Sequence, residues 1–182
     1  MSNTIHVIFD DRHIDDKQRL LLEFEEQGIE DFRFWSAVVN KDSVVDSIAH
    51  SHKMIVQYAL DNNLDEICIA EQDLTFTCPT AWGYFIENKP KEFDIYLAST
   101  YILPISNNKI CGFHLYIVRK QFYYKLLGIG ENQHIDTACC DLGGDFKFCY
   151  PFPALQRAGF SANTKTMVNY NSLISEQDIY KG

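Results

Sequence analysis

The chain has 182 residues, 46% apolar and 23% charged, which fits a single soluble globular domain that buries roughly 70% of its unfolded surface. Sixteen Lys and Arg against twenty-five Asp and Glu give a formal charge of −9 with no basic stripe, so nucleic acid is excluded as the expected partner. No run approaches the ~18 uninterrupted apolar residues of a membrane span, and the opening "MSNTIHVIFDDRH" lacks a secretory leader pattern; no membrane span and a cytoplasmic location are expected. The six cysteines form no CxxC pair and are expected as reduced, mostly buried thiols.

In chain order, "IHVIF" (Ile5 to Phe9) is a short apolar run that ends at Asp10 and Asp11. A helix follows from about Asp16 to Gln27, with Leu20, Leu21 and Phe24 on one face and Gly28 as its stop. "FRFW" reads as a second strand, and Asp42 or Ser43 can cap a longer helix reaching about Asn62. "EICIA" is a third strand, and Thr80 can cap a short helix through "AWGYFIEN". "FDIYLA" and "CGFHLYIV" read as strands on either side of a loop around "PISNNK". A helix over Gln121 to Leu127, a short one from near His134 and the strand "FKFCY" complete the pattern, and an irregular tail is expected from about residue 151. Alternation of this kind predicts an α/β domain over 1–182, a mostly parallel sheet flanked by helices. Ligands of such sheets bind beyond the carboxyl ends of the strands, where Asp10, Asp11 and the stretch Glu71 to Asp73 fall.

Side chains of extended backbone alternate, so Glu71 and Asp73 are expected to project together while Gln72 points away. Two carboxylates on one side suit a hard cation, Mg²⁺ or Mn²⁺, that keeps water and phosphate oxygens in its other positions. The plainer alternative is a solvated acidic turn.

The run "SIAHSHKMIVQYALDNNLDEICIAEQDLTF" resembles the central portion of glycosyltransferase family 25, the lipooligosaccharide-type galactosyltransferases. In that family a Ser-His-containing helix leads into an apolar strand ending in Glu-Asp-Asp. Ser51 and His52 match the Ser-His, Glu71 and Asp73 the outer carboxylates, and Gln72 stands where the family carries its middle Asp. "HVIFDDRHIDDKQRLLLEFEEQGIEDFRFWSAV", "FDIYLAS" and "GFHLYIVRKQFYYKLL" are similar to its first and later strands and helices. "HIDTACC" resembles the place where the family carries an Asp after the last long helix, and the likeness runs loosely from Ile5 to Gln156.

The resemblance implies the A-type glycosyltransferase fold, a divalent metal (Mn²⁺ or Mg²⁺), a UDP-hexose donor carrying galactose or glucose, and a saccharide acceptor, with inversion at the transferred carbon and a place in lipopolysaccharide biosynthesis. Asp10, Asp11 and Arg12 would meet the donor's ribose and phosphate, or else form an Asx-type turn. His52 joins this donor side by its match, with a structural tie between helix and loop as the other reading. Asp136 is the candidate base for the acceptor hydroxyl, and His134 a further metal ligand or sugar contact. His114 reads as a core histidine, and Trp82 and Tyr101 could stack on a sugar ring. A non-catalytic saccharide- or partner-binding domain of the same fold is the second reading, and a phosphoester hydrolase ranks last.

Overall fold

The computed structural model describes residues 4–102, 110–161 and 163–182; the expected loop around "PISNNK" lies outside them. A six-stranded sheet takes the order β2-β1-β3-β8-β5-β9. Its strands are β1 (Ile5–Phe9), β2 (Phe32–Ser36), β3 (Glu66–Glu71), β5 (Ile95–Leu97), β8 (Leu115–Arg119) and β9 (Phe146–Phe148). β1 runs parallel to β2 and β3, and β5 parallel to β9; β8 alone runs antiparallel to its neighbours β3 and β5. The chain thus forms the α/β architecture expected, with one reversed strand in its centre.

Two apolar layers explain why "EICIA" is a continuous run. Ile67 and Ile69 face helices α2 (Val44–Asp61), α4 (Lys120–Leu127) and α5 (Ile135–Asp141), while Cys68 and Ala70 face α1 (Ile14–Glu26) and α3 (Ala81–Glu87). Both faces of β3 are covered, so neither parity tolerates a charge until the strand ends. By the same parity Glu71 emerges on the α2 side.

Helix α2 starts where the sequence proposes: the Ser43 hydroxyl accepts the Asp46 N–H at 3.2 Å. Thr80 precedes α3 without a side-chain capping bond. The run "CGFHLYIV", expected as one strand, splits into β7 (Ile110–Cys111), which pairs with β6 (Tyr101–Ile102), and β8. Gly112 causes the break, since at φ +120° it turns the chain and sends its N–H to the Asp136 carboxylate instead of a strand partner.

The segment from 151 differs from the irregular tail expected. Its β10 (Ala154–Gln156) pairs antiparallel with the short β4 (Leu74–Phe76), and β11 (Gly159–Ser161) pairs with β12 (Thr166–Val168). Two 3-10 turns follow, Tyr170–Leu173 and Glu176–Asp178. Strands of three residues carry too few alternations to register as a period. Among the described residues no helix is long and apolar enough to cross a membrane.

Candidate functional site

At the carboxyl end of β3 the chain turns at Gln72 instead of staying extended. The Arg19 guanidinium fixes that turn by donating to the Gln72 carbonyl at 2.6 Å and the Leu74 carbonyl at 3.0 Å. Gln72 leaves the site altogether, its Oε1 accepting the Asp10 N–H at 2.7 Å. Glu71 and Asp73 therefore remain as a carboxylate pair, and the middle position serves to join the ends of β1 and β3.

The two carboxylates live in different surroundings. Burial works to raise Glu71, but the His52 hydrogen bond, together with the favourable electrostatic influence of His52 and His114, holds it below its ordinary value. Its Oε1 lies 2.9 Å from His52 Nε2. Burial, then the negative charge of Glu71, push Asp73 from 3.8 up to about 7. Gln156 Nε2 donates to Asp73 Oδ2 at 2.7 Å, while Asp73 Oδ1 is buried without a hydrogen-bond partner. A buried orphan oxygen beside a second carboxylate is an unmet demand for positive charge.

A cavity of about 480 Å³ opens over Glu71. Val45 and Ile48 from the start of α2, Gly112, Phe113, Tyr101, and His134 to Thr137 line it on one side. Gln156, Ser161, Asn163, Thr164 and Tyr170 close it from the carboxyl-terminal segment. Asp136 stands in the first turn of α5, its Oδ2 taking the Gly112 N–H at 3.2 Å and its Oδ1 the Thr137 N–H at 2.7 Å. Burial raises its affinity for a proton, partly offset by those two N–H groups, and the Glu71 charge raises it further. The loop leading to Asp136 is tied to α2, because Asn132 N–H donates to Asp46 Oδ1 at 2.6 Å and Lys53 Nζ to the Ile129 carbonyl.

The expected residues do not all gather here. Glu71, Asp136 and His134 line one cavity, and Asp73 lies behind Gln156. His134 is exposed at its rim, and among the described residues no three His, Cys, Asp or Glu side chains come together as a metal cluster. His134 lines the cavity wall, on the side of Asp136. His52, expected on the donor side, has no surface to offer a donor. It is fully buried, with Nδ1 2.9 Å from the Tyr116 hydroxyl and Nε2 on Glu71.

Asp10 forms an Asx turn, accepting the Arg12 N–H at 3.1 Å, and its carboxylate is also bound by the Arg12 guanidinium, which holds it below the usual range. Asp10, exposed Asp11 and exposed Arg12 stand beyond the end of β1, outside the cavity wall and joined to it through Gln72. His114 is a core histidine, with Nε2 2.7 Å from Ser99 Oγ and 3.4 Å from the Ala154 carbonyl. Trp82 packs on Phe76 and Phe85, and Tyr101 is buried with its hydroxyl accepting the Gln156 N–H at 2.8 Å and donating to Asn171 Oδ1 at 3.2 Å. Sequence reasoning missed Gln156 and Tyr170, whose proximity to the site depends on β10 pairing with β4, a contact no local motif announces.

The carboxylate pair fits a hard cation. Two carboxylates, one with a free buried oxygen, supply part of an oxygen shell, and a nucleotide diphosphate with water can supply the rest.

Neither a protein-family model nor a curated protein sequence matches the chain. Among solved structures it is similar to a glycosyltransferase involved in the glycosylation of the major capsid of PBCV-1, with a TM-score of 0.53 and 10% identity over 80% of each chain. It also overlays on the catalytic domain of Drosophila beta1,4-galactosyltransferase 7 in complex with xylobiose, with a TM-score of 0.49 and 14% identity over 98% of this chain and 75% of that one. The PBCV-1 likeness is one of fold: the chain has the A-type glycosyltransferase fold.

Proposed function

We propose that the chain is a metal-dependent glycosyltransferase that moves a hexose, galactose or glucose, from a UDP-sugar to a saccharide acceptor with inversion. The observation that carries this reading is Glu71 in the lining of a cavity whose wall also holds Asp136, with Asp73 and its orphan oxygen buried just behind, under Gln156. The A-type fold supports it, since ligands of open α/β sheets bind beyond the carboxyl ends of the strands and Glu71 ends β3.

When bound, a divalent cation neutralises the charge that builds on a leaving diphosphate. Glu71 and Asp73 would hold it, and Asp73 releases its proton in doing so. Asp10, Asp11 and Arg12 would meet the nucleoside end, with Arg12 exchanging its bond to Asp10 for a phosphate oxygen. Asp136 accepts the proton of the attacking acceptor hydroxyl, and its raised proton affinity suits a general base. Its two backbone N–H bonds keep the carboxylate in place while leaving each oxygen a second lone pair. Tyr170, Asn163 and Thr164 offer an aromatic face and polar groups to a sugar.

A second reading, saccharide binding without transfer, draws on Gln156, whose amide already satisfies one oxygen of Asp73. UDP release from a panel of nucleotide sugars with Mn²⁺ separates the two. Transfer requires turnover that disappears in Asp136→Asn while UDP binding stays. Saccharide binding that survives excess EDTA, with no donor consumed, would favour the second reading and overturn the first.

A further inference from the structure

The fold places one more group at the carboxylate pair, from a position that reads as core. His52 lies in the apolar stripe of α2 between Ala49 and the buried Ile55 and Val56. An imidazole there must satisfy both nitrogens without water. The β3–β8 register sets Tyr116 opposite Ile69, one pleat before Glu71 on the same face of the sheet. His52 consequently meets the Tyr116 hydroxyl at Nδ1 and Glu71 Oε1 at Nε2, both at 2.9 Å, and Phe113 covers its ring edge-on at 6.0 Å.

The donor directions follow from what each partner can do. A carboxylate only accepts, so Nε2 carries the hydrogen; the fully buried Tyr116 phenol, which burial keeps neutral, can donate to Nδ1 or accept from it. We propose that His52, backed by Tyr116, is a positioning residue of the cation site, clamping Glu71 Oε1 so that Oε2 faces the cavity beside Asp73. This rests on the reading of Glu71 and Asp73 as cation ligands. Without the clamp, Glu71 is free to turn away from Asp73, and the site has to be reassembled whenever a cation arrives. Tyr116, His52 and Glu71 form a chain from the sheet interior to the cavity wall, each link fixing the next.

Two readouts test the proposal. The first is ring ¹⁵N NMR of His52 in the metal-free protein, where Nε2 is expected to carry a hydrogen and the Nδ1 signal to shift in Tyr116→Phe. The second is calorimetric titration of Mn²⁺ in the presence of UDP. His52→Ala and Tyr116→Phe are expected to weaken Mn²⁺ binding by about tenfold or more, with His52→Gln, whose amide can still donate to Glu71, recovering part of the loss. Tyr116→Phe removes a single oxygen and serves if His52→Ala does not fold. A ring whose Nε2 carries no hydrogen in the unaltered chain, or Tyr116→Phe binding Mn²⁺ as tightly as the parent, overturns the clamp. If the unaltered chain shows no Mn²⁺-dependent UDP binding, the ligand reading itself fails and the positioning role falls with it.

Discussion

Replacing Asp73 with Asn should stabilise the metal-free protein at neutral pH and do little in acid. Asp73 ionises near 3.8 when unfolded and at about 7 when folded, because it is buried beside Glu71. Between those values the native state holds a proton that the unfolded state has lost, so this carboxyl costs stability as pH rises. At 1.36 kcal/mol per unit the full cost approaches about 4 kcal/mol, and roughly 3 kcal/mol of it develops between about pH 4.5 and about pH 7.5. Other groups tilt the curve the opposite way. Burial lowers His6 and His114 to about 4, so those rings protonate on unfolding and favour the native state as pH rises from about 4 to 6.5. The difference between Asp73→Asn and the parent removes those shared contributions. Asn can keep its carbonyl on Gln156 Nε2, so the packing survives. The assay is urea unfolding without metal at the two pH values. A stability difference that does not change with pH would refute the argument, since it would mean that Asp73 is not forced to ionise beside another charge.

Further outcomes follow from the same geometry. Asp136→Asn should cut transfer by ~10²-fold or more, with UDP and Mn²⁺ binding unchanged in calorimetry, because it loses proton acceptance but not shape. Gly112→Ala should cost about 1–3 kcal/mol in urea unfolding, as φ of +120° disfavours a side chain and the new Cβ would lie 3.3 Å from His114 and Tyr101. Tyr101→Phe should cost about 1 kcal/mol and raise amide exchange at Gln156, whose N–H loses its acceptor.

Much of the sheet was legible because the strands that are covered on both faces are continuous apolar runs, and their ends carry the only charges. "IHVIF" and "EICIA" appear as β1 and β3 with little change of boundary, and Ser43 caps α2 by the expected bond. The reversal of β8 was not legible, since burial on two faces demands the same residues whichever way a strand runs. Within the site, the E-x-D spacing singled out Glu71 and Asp73, but the proposed extension gave way to a turn held by Arg19. His52 showed as a family match or as a structural tie between helix and loop, and its duty beneath Glu71 depends on which face of β3 meets α2. Gln156 lies 83 residues from its partner Asp73, and nothing local in "PALQR" anticipates the contact.

The most direct test of the account is UDP binding followed by calorimetry with Mn²⁺ and again with excess EDTA, for the parent and for Asp73→Ala. UDP should bind the parent only when Mn²⁺ is present, and Asp73→Ala in neither condition. UDP binding of equal strength in EDTA, or undiminished in Asp73→Ala, would contradict the claim that this carboxylate pair holds the cation on which a nucleotide sugar is carried.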